Sequence, residues 1–313
     1  MSRWRAVGDV LLRRAVELAI LLFAISTLLF FLLRLSGDPA AVLAGEEADP
    51  ATVALIAERY GLDRPLIVQY LQYLASTLLL DFGESLRGGL PAIWMVLDRL
   101  GSTLLLSFLA LATTIAIAVP LGAWLGMRPD AAERKVVNGG VYVMQGIPGY
   151  IVGLILIQVF VVELRWLTSI GISSWTSWIL PSLTLASFLV PKMVRVLAAN
   201  VSEALREDYI RTARACGATE REILWRHAVP NALLGATALI GTQFAFLMSG
   251  ALVTEWIFSW PGFGALLIES VDRLDFPVVQ AAVFVIAFLV FAVNAVTDVA
   301  FRLIDPRLRE QRP

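Results

Sequence analysis

A chain of 313 residues that is 58% hydrophobic and 16% charged, with a mean hydropathy of +0.76, is too apolar for a soluble domain, in which about half the residues are apolar and about a quarter charged. It reads as an integral membrane protein held in a lipid bilayer. The net charge of −1 gives no basic field for nucleic acid, and one cysteine with one histidine leaves no internal disulfide and no metal-ligand set.

Residues 1–35 open with Arg3, Arg5, Arg13 and Arg14, followed by an apolar run from Ala15 to Leu35. As a helix that run spans about 30 Å, enough for a bilayer. It is too long for a signal-peptide core and lacks a small-residue cleavage site, so it is read as a retained first span behind a cytoplasmic N-terminus. Glu17 and Arg34, near its two ends, are expected to snorkel to the interfaces.

Residues 36–100 carry nine acidic and four basic side chains. Asp49 before Pro50 opens a helix that Gly61 can end, and Pro65 opens another, LIVQYLQYLASTLLL. Positions 66, 67, 70, 71, 74 and 78 of the latter form an apolar stripe rather than a full coat, so it is expected to lie on the membrane or against the bundle. A seventh span would also put Arg302, Arg307, Arg309 and Arg312 on the side opposite the N-terminal arginines. The segment is therefore expected to form a partly helical extracytoplasmic cap.

Residues 101–304 hold five more spans. The first, about 102–125, contains Pro120 and Gly122 and precedes a short positive loop, 127–135. The next, about 138–162, is interrupted by Gly139, Gly140, Gln145, Gly146, Pro148 and Gly149, which permit a kink and close helix approach. Trp166, Trp175 and Trp178 mark an outer interface before a span at about 179–197. After a span at about 233–254, Trp256, Trp260 and Phe263 are expected at the outer interface. The last span, about 278–301, places Asn294, Asp298 and Arg302 at four-residue steps, Asp298 and Arg302 reading as a structural pair. Six spans result, with both termini and the tail 305–313 in the cytoplasm.

Between the fourth and fifth spans lies a charged insertion, 200–231. Seven Lys and Arg side chains between Lys192 and Asn231 place it in the cytoplasm. It reads as two short helices. Gly217 ends the first in a left-handed conformation, Thr219 with Glu222 forms a capping box that starts the second, and Pro230 closes it. Glu207 and Arg211 are spaced for an i, i+4 pair, while Ile223, Leu224 and Ala228 leave one apolar side beneath Arg221 and Arg226.

This insertion resembles the EAA loop of the permease subunits of type I ABC importers, written as EAA, three residues, Gly, nine residues, Ile, one residue, Leu-Pro. Gly217 stands thirteen residues before Pro230 and six after the start of the triplet Arg211, Thr212, Ala213. That triplet departs from the consensus and is similar to the version in the dipeptide and oligopeptide branch, as is His227 at the consensus Ile. GLDRPLIVQY at 61–70, LPSLTLA at 180–186, WPGFG at 260–264 and DPR at 305–307 are similar to that branch too, so the resemblance covers nearly the whole chain.

The resemblance implies an all-α integral membrane protein with the six-helix type I importer fold, in the inner membrane of a bacterium. It implies ATPase coupling through Glu203, Asp208, Arg211, Thr212, Ala213, Gly217, Ala218 and Pro230. Its implied partners are a second, homologous permease, two ATPase subunits that would hold ATP and magnesium, and an extracytoplasmic binding protein, with no cofactor on this chain. Peptides are the leading cargo; opines, glutathione and nickel chelates are handled by relatives.

Chemistry of its own is hard to find in the chain. GxxxxGK[ST] and G-x-S-x-G are absent. An intramembrane enzyme would need converging ligands or nucleophiles, whereas only isolated polar groups such as Gln145, Gln158, Gln243 and Ser249 fall in the spans. A proton-driven carrier would need buried charges in mid-span and an internal repeat. Gln243, Gly250 and Thr254 fall on one helix face at i, i+7 and i+11 and, with Gln145, are candidates to line a pathway; packing against another helix is the open alternative.

Overall fold

The computed structural model describes residues 2–35, 39–45, 48–59, 61–168 and 171–304; the tail 305–313 lies outside them. Its helices are α1 (Ser2–Leu35), α2 (Pro39–Ala44), α3 (Pro50–Arg59), α4 (Leu66–Leu78), α5 (Ala92–Met127), α6 (Ala132–Gln145) and α7 (Gly149–Ile157). There follow α8 (Ile179–Ala204), α9 (Asp208–Ala215), α10 (Glu220–Glu222), α11 (Val229–Ile257), α12 (Phe263–Asp272) and α13 (Phe276–Ile304), with π-helical turns at Gln158–Glu163 and Ile223–Ala228. Among the described residues the only β pairing is an isolated bridge between Glu84 and Pro91. Among the described residues four helices are long and apolar enough to cross a membrane, and up to six spans result if each of two bent helix pairs is one span.

The chain divides into two compact units, Met1–Gly101 with Gly262–Phe291, and Ser102–Pro261 with Ala292–Pro313. In the first unit, local signals define the short helices: Asp49 accepts the Thr52 N–H at 3.0 Å at the start of α3, and Pro65 precedes α4. α4 turns its polar and aromatic side to α1. Thr27 and Tyr70 share a hydrogen bond of 2.8 Å, and Phe30 lies 5.3 Å from the Tyr70 ring and 5.5 Å from the Tyr73 ring. Arg34 does not simply snorkel. It lies over the Phe30 ring and donates to Gln69, whose amide donates to the carbonyls of Leu62 and Arg64. Glu17 likewise pairs with Arg13 and Arg14, each at 3.0 Å. Of the apolar stripe of α4, Leu66, Ile67, Leu71 and Leu78 are exposed, whereas Leu74 is half-buried and Tyr70 turns to α1. A core of Phe82, Ala92, Val96, Phe263, Leu266, Val278 and Ala282 joins the start of α5 to α12 and α13; Phe263, expected at an interface, is buried there.

In the second unit α8 is the central element, with fifteen buried positions between Leu180 and Ala204. It packs against α5, α6 and α11 through Ala118, Leu125, Val141, Val190, Met193, Leu197 and Ala236. The third span is a sharper break than a kink: α6 and the α7 segment meet at 99°. Pro148 has no N–H to donate and pushes Ile147 out of helical geometry, so the ladder ends at Gly146 and restarts beyond it. Trp260 is buried rather than in an outer belt, its indole N–H donating to the Ser102 carbonyl at 3.1 Å; Trp256, Trp166 and Trp175 are exposed. The side chains of Asp298 and Arg302 lie outside the described ones.

Candidate functional site: the charged hairpin

α8 ends at Ala204 with Glu203 exposed on its last turn. Glu207 then stands in extended conformation as the N-cap of α9. That position removes Glu207 from the helical register needed for an i, i+4 pair, and Arg211 bonds Asp208 instead, at 3.2 Å. α9 is anchored by Ile210, which is fully buried. Asp208, Arg211 and Thr212 remain exposed.

The turn after α9 is a Schellman motif. The Gly217 N–H donates to the Arg214 carbonyl at 3.0 Å and the Ala218 N–H to the Ala213 carbonyl at 3.1 Å. Gly217 has φ +86°, a conformation a side chain disfavours. Two residues on, Thr219 and Glu222 form the complete capping box, its two backbone bonds being 3.3 and 3.0 Å. Arg214 grips the Glu220 carboxylate with both Nε (2.8 Å) and Nη2 (3.2 Å), stapling one arm to the other. The Arg214 side chain holds the Glu220 carboxyl below its ordinary value, and the Thr219 N–H, with its hydroxyl, does the same for Glu222.

The second arm does not close at Pro230. It passes from α10 through the π turn, where the Val229 N–H bonds the Leu224 carbonyl five residues back, and continues unbroken into α11. Proline is tolerated there because it falls in the first turn of α11, after a widened turn that relieves the ladder. The arm is rooted rather than free. Ile223, Leu224 and Ala228 are buried as the sequence indicates, and Leu224, Ala228, Val229 and Ala232 pack on Ala123, Val201 and Ala204. Asn231 ties the arms together by donating to the Tyr209 hydroxyl (3.2 Å) and the His227 carbonyl (2.7 Å).

Thus Asp208, Arg211, Thr212 and Gly217 are each exposed on the hairpin and Glu203 on the last turn of α8, with Pro230 exposed at the start of α11 and Ala213 and Ala218 half-buried at the turn. The pathway candidates are not gathered in this way. Gln243 and Thr254 are buried, Gly250 is exposed, and Gln145 is exposed at the end of α6, so the three on α11 do not present one accessible stripe. Sequence reading also missed Glu255, which is wholly buried and accepts the Thr103 hydroxyl at 2.6 Å. No local pattern marks that pairing, since the two residues are 152 positions apart. Among the described residues no cluster of His, Cys, Asp and Glu is arranged to hold a metal.

The helical membrane architecture, with four to six candidate spans, is that of a membrane permease of the ABC importer class. The chain belongs to the family of binding-protein-dependent transport system inner membrane components, whose profile matches residues 118–310, with the family's N-terminal component matching residues 8–106. It is 36% identical over 303 residues to the glutathione transport system permease protein GsiC of Escherichia coli (strain K12), covering 95% of this chain and 98% of that one. GsiC of Salmonella choleraesuis (strain SC-B67) matches at the same identity and coverage. Inward-facing structures of the MetNI methionine ABC transporter share the fold, with a TM-score of 0.58 at 20% identity over 68% of this chain and 97% of that one. Membership makes this chain a transport component rather than an enzyme, and implies an ATPase and a substrate-binding protein as partners.

Proposed function

We propose that this chain forms one half of the translocation pathway of an ATP-driven importer of short peptides, and that its hairpin receives the stroke of the ATPase. The observation that carries the reading is the bracing of residues 208–232. A surface pair of helices transmits force only if it is stiff and continuous with the membrane core. Here the Schellman turn, the capping box and the Arg214–Glu220 staple stiffen the hairpin, and its second arm runs on as helix through the first turns of α11 to Ala236, where the helix bends by 53°. Glu203, Asp208, Arg211, Thr212, Ala213, Gly217, Ala218 and Pro230 are the proposed coupling residues.

The remaining assignments follow from charge and kinship. A second permease completes the pathway, and two ATPase subunits bind ATP and magnesium, leaving this chain without a cofactor. The basic loops put the hairpin and both termini in the cytoplasm, and residues 36–100 form an extracytoplasmic cap that meets the binding protein. Gln145, Gln243, Gly250 and Thr254 are proposed to border the pathway, with rearrangement of α11 bringing its buried members into it. The proposed cargo is a short peptide because the relatives carry the name of a glutathione system, and glutathione is a tripeptide; opines and nickel chelates are the other candidates. Competition for uptake against a strain lacking this chain discriminates among them.

The test of coupling is Gly217→Val in the reconstituted transporter. A Cβ at 217 meets nothing within 4 Å, so the effect comes from the backbone alone, about 1 kcal/mol or more of strain at this φ. Normal membrane insertion is expected, with loss of substrate-stimulated ATP hydrolysis and uptake. Full coupled transport by Gly217→Val removes the hairpin from this role.

A further inference from the structure

A second feature of the same unit stands beside the root of the hairpin. Arg134, Asn138 and Tyr142 recur at four-residue steps on α6, and Arg195 and Ser202 lie two turns apart on α8. These side chains, with Arg206 just beyond α8, line a cleft of about 560 Å³. Arg134 is only 8% exposed. Its Nε and Nη1, and the Nε of Arg195, are buried without any hydrogen-bond partner.

A buried guanidinium without a counter-charge is costly. Each of the two guanidinium groups, Arg134 buried and Arg195 half-buried, lies over an aromatic face, Arg134 at 4.9 Å from the centre of the Trp124 ring and Arg195 at 5.0 Å from that of the Tyr142 ring. Stacking of this kind offsets part of the desolvation and leaves the in-plane N–H fork free for an oxyanion. Glu203 and Glu207 also border the cleft, but both are exposed. Among the described residues neither is within ion-pair reach of Arg134 or Arg195.

What kind of oxyanion fits is answered by a second cleft against the same three helices, displaced along α5 and α8 and on the adjacent face of α6. Val137, Val141 and Met144 of α6, Val190 and Pro191 of α8 and Leu121 of α5 line this cleft of about 310 Å³. The first cleft offers two arginines with amide, phenol and hydroxyl groups; the second is almost wholly apolar. Along α8 the apolar section ends at Pro191 and the basic one begins at Arg195, a rise of about 6 Å. A free anion would have no use for the apolar section. A basic pocket between membrane helices beside an apolar cleft is the pattern of a lipid site.

We propose that the α6–α8 cleft binds an anionic glycerophospholipid. Its phosphate bridges Arg134 and Arg195, and an acyl chain lies between α5, α6 and α8. Because Ser202 and Arg206 belong both to the cleft and to the segment entering α9, the bound lipid braces the root of the hairpin.

The test uses the assembled transporter in detergent, offered equimolar phosphatidylglycerol and phosphatidylcholine and read by native mass spectrometry. Wild type is expected to retain phosphatidylglycerol preferentially. Loss of one charge-assisted contact lowers retention about tenfold in Arg195→Gln, with partial recovery in Arg195→Lys. Arg134→Gln is the stronger variant, but the half-buried Arg195 carries the test should Arg134→Gln fail to assemble. Equal retention of both lipids by wild type, or equal phosphatidylglycerol retention by wild type and Arg195→Gln, overturns the proposal. So does displacement of the lipid by millimolar glycerol 3-phosphate or inorganic phosphate, which would make the cleft a site for the free anion.

Discussion

A Cβ placed on Gly126 of α5 would stand 2.6 Å from the carbonyl oxygen of Ala198 on α8. One turn earlier a Cβ on Gly122 would stand 2.7 Å from that of Leu197. The pair is a small-xxx-small contact, by which membrane helices gain close packing without a hydrophobic driving force between them. Gly126→Val must push the two helices apart at a backbone atom, a change costing about 1–3 kcal/mol. It is expected to lower the thermal midpoint of the purified transporter and its yield in the membrane. Gly140→Ala is the control. Gly140 reads from sequence as a site of close approach, yet its Cβ would meet nothing within 4 Å, so the midpoint should stay or rise slightly.

Glu255 sits at the far end of α11 from the hairpin and is fully buried, with the Thr103 hydroxyl as one of its donors. A buried carboxylate that loses a donor is left with part of its desolvation uncompensated, at about 1–3 kcal/mol. Thr103→Val, which keeps the shape and removes the hydroxyl, is therefore expected to destabilise the protein by that amount, and Thr103→Ser to restore most of it. Thermal unfolding of the two variants distinguishes this bond from simple packing, which Val satisfies better than Ser.

The turn of the hairpin is expected to loosen in acid. Glu220 and Glu222 are both held below 4.5, their ordinary value, by Arg214 and by Thr219 respectively. Each therefore binds fewer protons folded than unfolded. Their contribution is fully present above 4.5 and is lost as pH falls through the lowered folded values. Amide exchange at residues 219–222, corrected for intrinsic rates, should stay protected from pH 7 down to about 5 and lose protection below 4.5. Glu222→Gln should flatten part of that dependence; an unaltered profile would mean that the box contributes nothing.

Cys216 is an exposed free thiol in the turn and reports the sidedness of the hairpin directly. A membrane-impermeant maleimide should label it in inverted vesicles and not in sealed spheroplasts. Labelling from outside reverses the orientation. Added ATPase subunits should slow the reaction if the hairpin docks there.

The spans, the hairpin and its turn were legible in the sequence because each depends on a run of side chains close together in the chain. Hydropathy over about twenty residues marks a span, and the left-handed Gly217 and the Thr219–Glu222 box are complete within six positions. Contacts between distant segments were decided by the tertiary structure alone. Trp260 looks like an interface aromatic until Ser102, 158 residues away, takes its N–H. Glu255 is marked by nothing near it in the chain, and its burial is met by Thr103, 152 residues away. The apolar stripe of α4 was plain, but only the fold chose which side to bury: Gln69 and Tyr73 find partners on α1 and in the α3–α4 connection, and Tyr70 is drawn from the stripe to meet Thr27. Pro230 signals a stop, yet the helix runs on because a π turn and a packed root absorb the missing bond. Local hydrogen bonds and hydropathy are written in neighbouring residues; which polar groups are desolvated, and what satisfies them, depends on side chains that the chain brings together only when it folds.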